Sequence, residues 1–346
     1  MFKNRDDQLK MINAINERLE KPFNIRGHIV DITCNILYFQ NDYVFMNSDM
    51  FNNFIVRTTS LINFKDNTCI ELDKAFLDQI NRDRKIKEML EECLRTKSGL
   101  YMVYQPIFDV NKKCFNHFEA LIRLANEELG YIGPGEFIPI AENFGLANEI
   151  DFFVLNETCA FLQRNPGIGG LEINISCAEF FNNPSERFMK IINQYDIDPS
   201  RIILEITETI AVKYPSKTKE FMADLGQYGV KFAMDDFGSG YSNIARFITL
   251  PFSVAQLDKS LLGESENITI FFEAAINLFK SLNIPIVIEG VENEKQLQLS
   301  VNKEIEYVQG YFFSKPLKEQ DLLEFLAKNN KYHSSILLLK SIKTFL

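Results

Sequence analysis

Six short apolar runs carry polar residues where a buried segment would ordinarily carry none. Glu119 lies within HFEALIRL, Asn174 ends LEIN, and Glu205 falls in ILEIT. Asp235 and Asp236 close KFAMDD, Glu289 closes IVIE, and Gln309 sits in YVQGY. Each has an ordinary explanation taken alone: a strand-end carboxylate commonly caps a helix, and a lone Asn commonly sits in a turn. Recurrence through one chain argues for a shared purpose, because a buried carboxylate is costly unless something pairs with it. Five carboxylates and the Asn174 carboxamide oxygen make a hard, oxygen-only donor set, and the three histidines, His28, His117 and His333, fall outside it. Such a set suits Mg²⁺, Mn²⁺ or Ca²⁺ rather than zinc. Asp235 and Asp236 would repel each other unless a cation held both ionised. More carboxylates than one cation needs point to two, about 3.5–4 Å apart with a bridging carboxylate, the arrangement used for in-line phosphoryl chemistry.

These residues act together only if the elements bearing them converge. From Tyr101 onward eight strand-like runs recur, most of them separated by a helical segment: YMVYQPIF, HFEALIRL, LEINIS, RIILEIT, VKFAMDD, SVAQLD, IPIVIE and YVQGYFF. NEIDFFVLNETCAFLQR and ITIFFEAAINLFKSL are plainly helical in pattern. Alternating strands and helices predict an α/β fold with a mainly parallel sheet, and eight strands predict a (β/α)8 TIM-type barrel whose strand C-termini share one mouth. An open doubly wound sheet is the second choice, but no GxGxxG turn or phosphate-binding loop opens it. Before the barrel, residues 7–20 place Leu9, Ile12, Ile15 and Leu19 at helical spacing, and FNIRGHIVDI and CNILYF read as strands. The resulting plan is a small α+β segment over 1–72, a charged connector helix over 73–97, the barrel over 98–328 and a helical tail over 329–346.

Composition bounds the class of partner. A chain of 346 residues, 46% of them hydrophobic, can bury a large core, and a net charge of −10 without a long basic block argues against a nucleic-acid polymer as partner. The six cysteines have no CxxC or zinc spacing and read as free thiols in a reducing cytoplasm. No apolar run reaches the roughly 20 residues of a membrane helix, and the charged N-terminus lacks a secretory core. SSILLLKSIKTFL, near the C-terminus, reads as a capping or docking helix, with membrane contact a lesser alternative.

The motifs QPI at 105–107, FEALIRL at 118–124, INIS at 173–176, LEITET at 204–209, DDFGSGYSN at 235–243, IEGVEN at 288–293 and QGYFFSKP at 309–316 closely resemble the EAL domain. That family comprises cyclic di-GMP phosphodiesterases and their ligand-binding relatives. The resemblance runs from residue 98 to about residue 328. It implies a barrel with one antiparallel strand that hydrolyses cyclic di-GMP to linear pGpG with Mg²⁺ or Mn²⁺. By resemblance, Glu119, Asn174, Glu205 and Asp235 hold one metal, and Asp235 bridges to a second held also by Asp236 and Glu289. Gln105 and Arg123 match substrate contacts, and the planar guanidinium suits a phosphodiester. Glu292 and Gln309 match polar positions near the ligand. Glu208 matches the glutamate that anchors the DFGSGYS loop, which the resemblance links to metal binding and homodimerisation.

One position departs from the pattern. Active members read LPxDxLKID, and this chain reads LPFSVAQLD over 250–258, so Gln256 occupies the place of the catalytic lysine. Strand alternation makes Lys259 face the wrong way to substitute. Losing one positioned donor costs on the order of 10²–10³ in rate, about 3–4 kcal/mol. The resulting expectation is a phosphodiesterase of reduced activity, with an inactive cyclic di-GMP sensor as the alternative. The segment KPFNIRGHIVDITCNILYF with the following helix resembles the back half of a GGDEF domain, but no GGDEF signature is present. It is either part of a longer chain or a degenerate remnant, and it is expected to pack structurally or to relay a signal from a sensory domain upstream.

Overall fold

The computed structural model describes residues 5–30, 35–39, 54, 58, 68–72, 74–176, 185–238, 249–263 and 265–329. The chain divides into two units, residues 1–92 with 139–144 and residues 93–138 with 145–346. In the first unit, helix α1 (Arg5–Leu19) opens with Asp6 and Asp7, whose charge suits the positive end of the helix dipole. Strands β1 (Phe23–Ile25) and β2 (His28–Val30) form a hairpin. Its turn uses Arg26 and Gly27 at φ 55° and 88°, and Asn24 Oδ1 accepts from the Gly27 N–H at 2.9 Å. Strands β3 (Asn35–Phe39) and β4 (Thr68–Leu72) pair in parallel. Helix α2 (Lys74–Thr96) carries on its charged face the i,i+4 pairs Arg84–Glu88 and Lys87–Glu91.

The second unit is built around β5 (Leu100–Asp109), β6 (Cys114–Asn126), β7 (Gly130–Ile132), β8 (Gly170–Asn174), β9 (Ile202–Thr207), β10 (Lys231–Phe237), β11 (Val254–Leu257), β12 (Ile286–Ile288) and β13 (Tyr307–Gln309). Strands β6, β8, β9, β10, β11, β12 and β13 run parallel in that order, and β5 closes the ring by pairing antiparallel with both β13 and β6. The result is a closed eight-stranded barrel with one antiparallel strand, and β7 hangs on the flank of β6. All eight runs read from the sequence are barrel strands. The short β7 was not among them.

In chain order the helices after α2 are α3 (Pro134–Asn143), which runs from the second unit into the first, α4 (Ala147–Arg164), α5 (Ser185–Gln194), α6 (Glu208–Lys213), α7 (Pro215–Gly226), α8 (Glu266–Ser281), α9 (Glu294–Asn302) and α10 (Glu319–Asn329). The strands are apolar because a parallel barrel buries both faces of its sheet. Phe118, Leu124, Leu171, Ile173, Leu204, Ile206 and Ile288 are fully buried. Alternate positions form the interior, where Ile107, Ile203, Ala233, Val254 and Val287 pack together. Toward the C-terminal ends of the parallel strands this apolar packing gives way to acids and amides. Among the described residues no helix is long and apolar enough to cross a membrane. Cys93, Cys114 and Cys159 form no disulfide, and burial pushes the Cys159 thiol up to about 12.

Candidate active site

Register explains which polar residues meet. Glu119 on β6 is opposite Gln105 on one side and Glu172 on the other, and Asn174 is opposite Glu205. Side chains two apart on a strand share a face, so Glu172 and Asn174 both point to the interior. The segment after Asn174 is fixed by Asp151 of α4, whose Oδ2 accepts from the Ser176 N–H at 2.9 Å and its hydroxyl at 2.8 Å.

Two hydrogen-bonded clusters result. At the rim, Glu119 accepts from Asn174 Nδ2 at 3.1 Å and from Gln309 Nε2 at 2.7 Å. Deeper in the barrel, Gln256 Nε2 donates to Glu172 at 2.8 Å and to Glu205 at 2.7 Å. Gln256 and Glu205 are only 1% and 2% exposed, so this bridge is shut off from solvent. Gln256 Oε1 and Gln309 Oε1 are buried without a hydrogen-bond partner among the described residues.

Asp235 and Asp236 are consecutive, and the strand is irregular where they fall. The β10–β11 register shifts between Met234 and Phe237, and Asp236 takes the left-handed φ of 58°. A bulge of this kind re-aims a side chain that a regular strand would turn to the opposite face. The Asp236 N–H donates to Asp235 Oδ1 at 2.7 Å, leaving Asp236 exposed at the rim. Gly238 follows at φ 99°, and a Cβ there would lie 2.8 Å from Leu261 Cδ1. The rest of the DFGSGYSN loop and the Glu208 side chain lie outside the described residues.

The electrostatics follow from crowding acids where water is scarce. Burial first, then the charges of Asp236 and Glu119, push Asp235 up to about 7. Burial and the Glu119 charge push Glu172 to about 8. Glu205 and Glu289 move well above the carboxylate range for the same reasons. Burial also raises Glu119, against the opposing pull of the Gln309 and Asn174 amides and Arg123. Burial and Asp258 raise Asp236. Among the described residues no three acidic, His or Cys side chains are drawn tightly enough together to hold a metal.

Other residues singled out in the sequence line two cavities. Gln105, Glu119, Glu289, Glu292 and Gln309 border one of about 260 Å³, together with Asp258, Lys259 and Tyr311. Gln105 Nε2 reaches the Ser314 carbonyl at 3.4 Å. Glu292 is set by a helix start in which its N–H donates to Gln296 Oε1 at 2.8 Å, while Asn293 Oδ1 accepts from the Gln296 N–H at 3.0 Å. Arg123 lines a neighbouring cavity of about 470 Å³ with Tyr101, Tyr131, Lys315 and Lys318, and its guanidinium donates to the Ile122 carbonyl at 2.9 Å. Two residues are additions to the sequence reading. Glu172 is detectable in LEIN by its two-residue spacing from Asn174. Lys259 reaches the Glu119 cavity from the rim rather than from the buried position of Gln256: β11 ends at Leu257, and Lys259 belongs to the short 3-10 turn that follows.

An eight-stranded barrel whose mouth is lined by acids and amides from several strands defines an α/β-barrel protein with an oxygen-donor site. The EAL domain model matches residues 84–316. The chain belongs to the EAL domain family. It is 30% identical over 258 residues to the signaling protein YkoW of Bacillus subtilis, covering 72% of this chain and 31% of that one. To the cyclic di-GMP phosphodiesterase PA2567 of Pseudomonas aeruginosa it is 30% identical over 247 residues, covering 69% of this chain and 42% of the other. The chain thus spans less than half the length of these relatives. Among solved structures, the PaMucR phosphodiesterase in its c-di-GMP complex superposes with a TM-score of 0.65 at 27% identity, over 69% of this chain and 99% of that chain.

Proposed function

We propose that the chain hydrolyses cyclic di-GMP to linear pGpG with Mg²⁺ or Mn²⁺, at a rate reduced by Gln256. The carrying observation is the cluster of Glu119, Glu205, Asp235 and Glu289 at one mouth, each made harder to ionise by burial and by the other acids. A donor set of carboxylates and carboxamides with two partnerless buried carboxamide oxygens has the chemistry of a hard-cation site. Glu119, Asn174, Glu205 and Asp235 would hold one cation, and Asp235, Asp236 and Glu289 the second. When bound, the cations supply Lewis-acid stabilisation of charge at phosphorus and a more acidic water. Water attacks one phosphodiester, the bond from phosphorus to the 3′ oxygen breaks, and that oxygen leaves as the hydroxyl. Gln105, Arg123, Glu292 and Gln309 orient the dinucleotide. The activity in PA2567's name and the ligand in the PaMucR complex support this substrate.

A second reading, a receptor that binds cyclic di-GMP without cleaving it, is favoured by one observation. The Gln256 amide is engaged with Glu172 and Glu205 and carries no charge toward the reacting phosphate. In either reading we take residues 98–328 as the cyclic di-GMP domain. The segment before it is taken as a relay resembling part of a GGDEF domain, without cyclase activity. Chromatographic detection of pGpG decides between the readings. Metal-dependent product from the wild type and none from Glu119→Ala is the expected result. Intact substrate in both Mg²⁺ and Mn²⁺ would overturn the enzyme reading.

A further inference from the structure

We propose that Lys259 is the cation that grips the phosphate of the substrate at this mouth, a substrate-binding residue outside the acid and amide set; the proposal rests on the phosphodiester reading of the site. Among the described residues lining the cavity that holds Glu119 and Glu289, Lys259 is the one lysine or arginine. A cyclic dinucleotide carries a negative charge on each phosphodiester, and the acids around the cavity repel it. Gln256, buried and neutral, offers no compensating charge, whereas an ammonium at the rim does so without a fixed hydrogen-bond geometry.

The position is built into the local fold. Asp258 caps the turn that carries Lys259, its Oδ1 accepting from the Ser260 N–H at 2.8 Å and its carbonyl from the Leu261 N–H at 3.0 Å. The lysine stem then lies over Gly290, which sits at φ 63°. A Cβ on Gly290 would come within 2.7 Å of Lys259 Cβ and 2.8 Å of its Cδ, so this path across the rim requires glycine. At its far end, Lys259 Nζ lies 3.6 Å from Glu292 Oε1, with both side chains more than half exposed. An exposed ion pair of this kind is weak, so a doubly charged ligand can take the ammonium from Glu292 at little cost. Glu292 therefore parks Lys259 beside the cavity in the absence of ligand.

The test is calorimetric titration with cyclic di-GMP in Ca²⁺, an oxygen-seeking cation whose loose coordination favours binding over in-line chemistry. Lys259→Met is expected to weaken binding about tenfold, and to lessen its sensitivity to salt. Lys259→Arg, which keeps the charge, is expected to stay within about threefold of wild type. In steady-state assays the Met variant should raise KM more than it lowers kcat, because the contact is made in the bound state as well as the transition state. Equal affinity and equal salt dependence in Lys259→Met and wild type would overturn the role of Lys259. A wild type that binds no cyclic di-GMP would overturn the reading of the site, and this proposal with it.

Discussion

Gln256 satisfies two buried carboxylates without neutralising either. Its one amide nitrogen bonds both Glu172 and Glu205, so the acids stay crowded and depend on protons or cations for relief. A lysine there would add a charge between the same partners. Gln256→Lys is accordingly expected to raise kcat for pGpG formation by roughly 10- to 10²-fold; an unchanged or lower kcat would mean that position 256 does not limit the chemistry. Glu172 gives a separate, thermodynamic prediction. Its folded-state value of about 8 lies above the ordinary carboxylate value, so the folded chain binds a proton more tightly than the unfolded chain. Its contribution to stability is then complete below about pH 4.5 and is lost as the pH rises through about 8. In chelator-treated protein, Glu172→Gln should match or trail wild type near pH 5 and gain on it in melting temperature up to about pH 8. A parallel pH dependence in the two proteins would contradict the assignment of that proton.

Among the elements, β13 and the segment after β12 approach closely at the mouth. The Val291 N–H donates to the Gln309 carbonyl at 3.0 Å, and the Phe312 N–H donates to the Val291 carbonyl at 2.9 Å. A Cβ at Gly310 would collide with the Val291 backbone, which has no side-chain freedom with which to yield. Gly310→Ala should therefore cost about 1–3 kcal/mol in denaturant unfolding, and should displace Gln309 from Glu119. Wild-type stability in that variant would show that the two segments separate without penalty. The eight barrel strands were legible because each is a short apolar run bounded by polar turns, and Glu119, Glu205, Asp235 and Glu289 stood out as acids within such runs. Residues whose placement depends on irregular backbone were less legible. Asp236 reaches the rim through a register shift and a left-handed φ, which the pair of letters DD does not encode. Lys259 did not stand out as a rim residue because strand alternation says nothing of the turn that follows Leu257. Glu172 obeyed alternation and was overlooked beside Asn174.

On the scale of the whole molecule, the barrel gathers side chains from β5, β6, β8, β9, β10, β11 and β13, with Glu289 just beyond β12, so that no two neighbouring strands suffice to build the site. The cost of that convergence is a buried concentration of like charge, which the proposed divalent cations would offset. Anomalous diffraction at the manganese edge, from crystals grown with Mn²⁺ and cyclic di-GMP, tests this directly. Two peaks are expected at the mouth, one among Glu119, Asn174, Glu205 and Asp235 and one among Asp235, Asp236 and Glu289. Manganese absent from the mouth, with the dinucleotide bound there regardless, would contradict the two-cation reading.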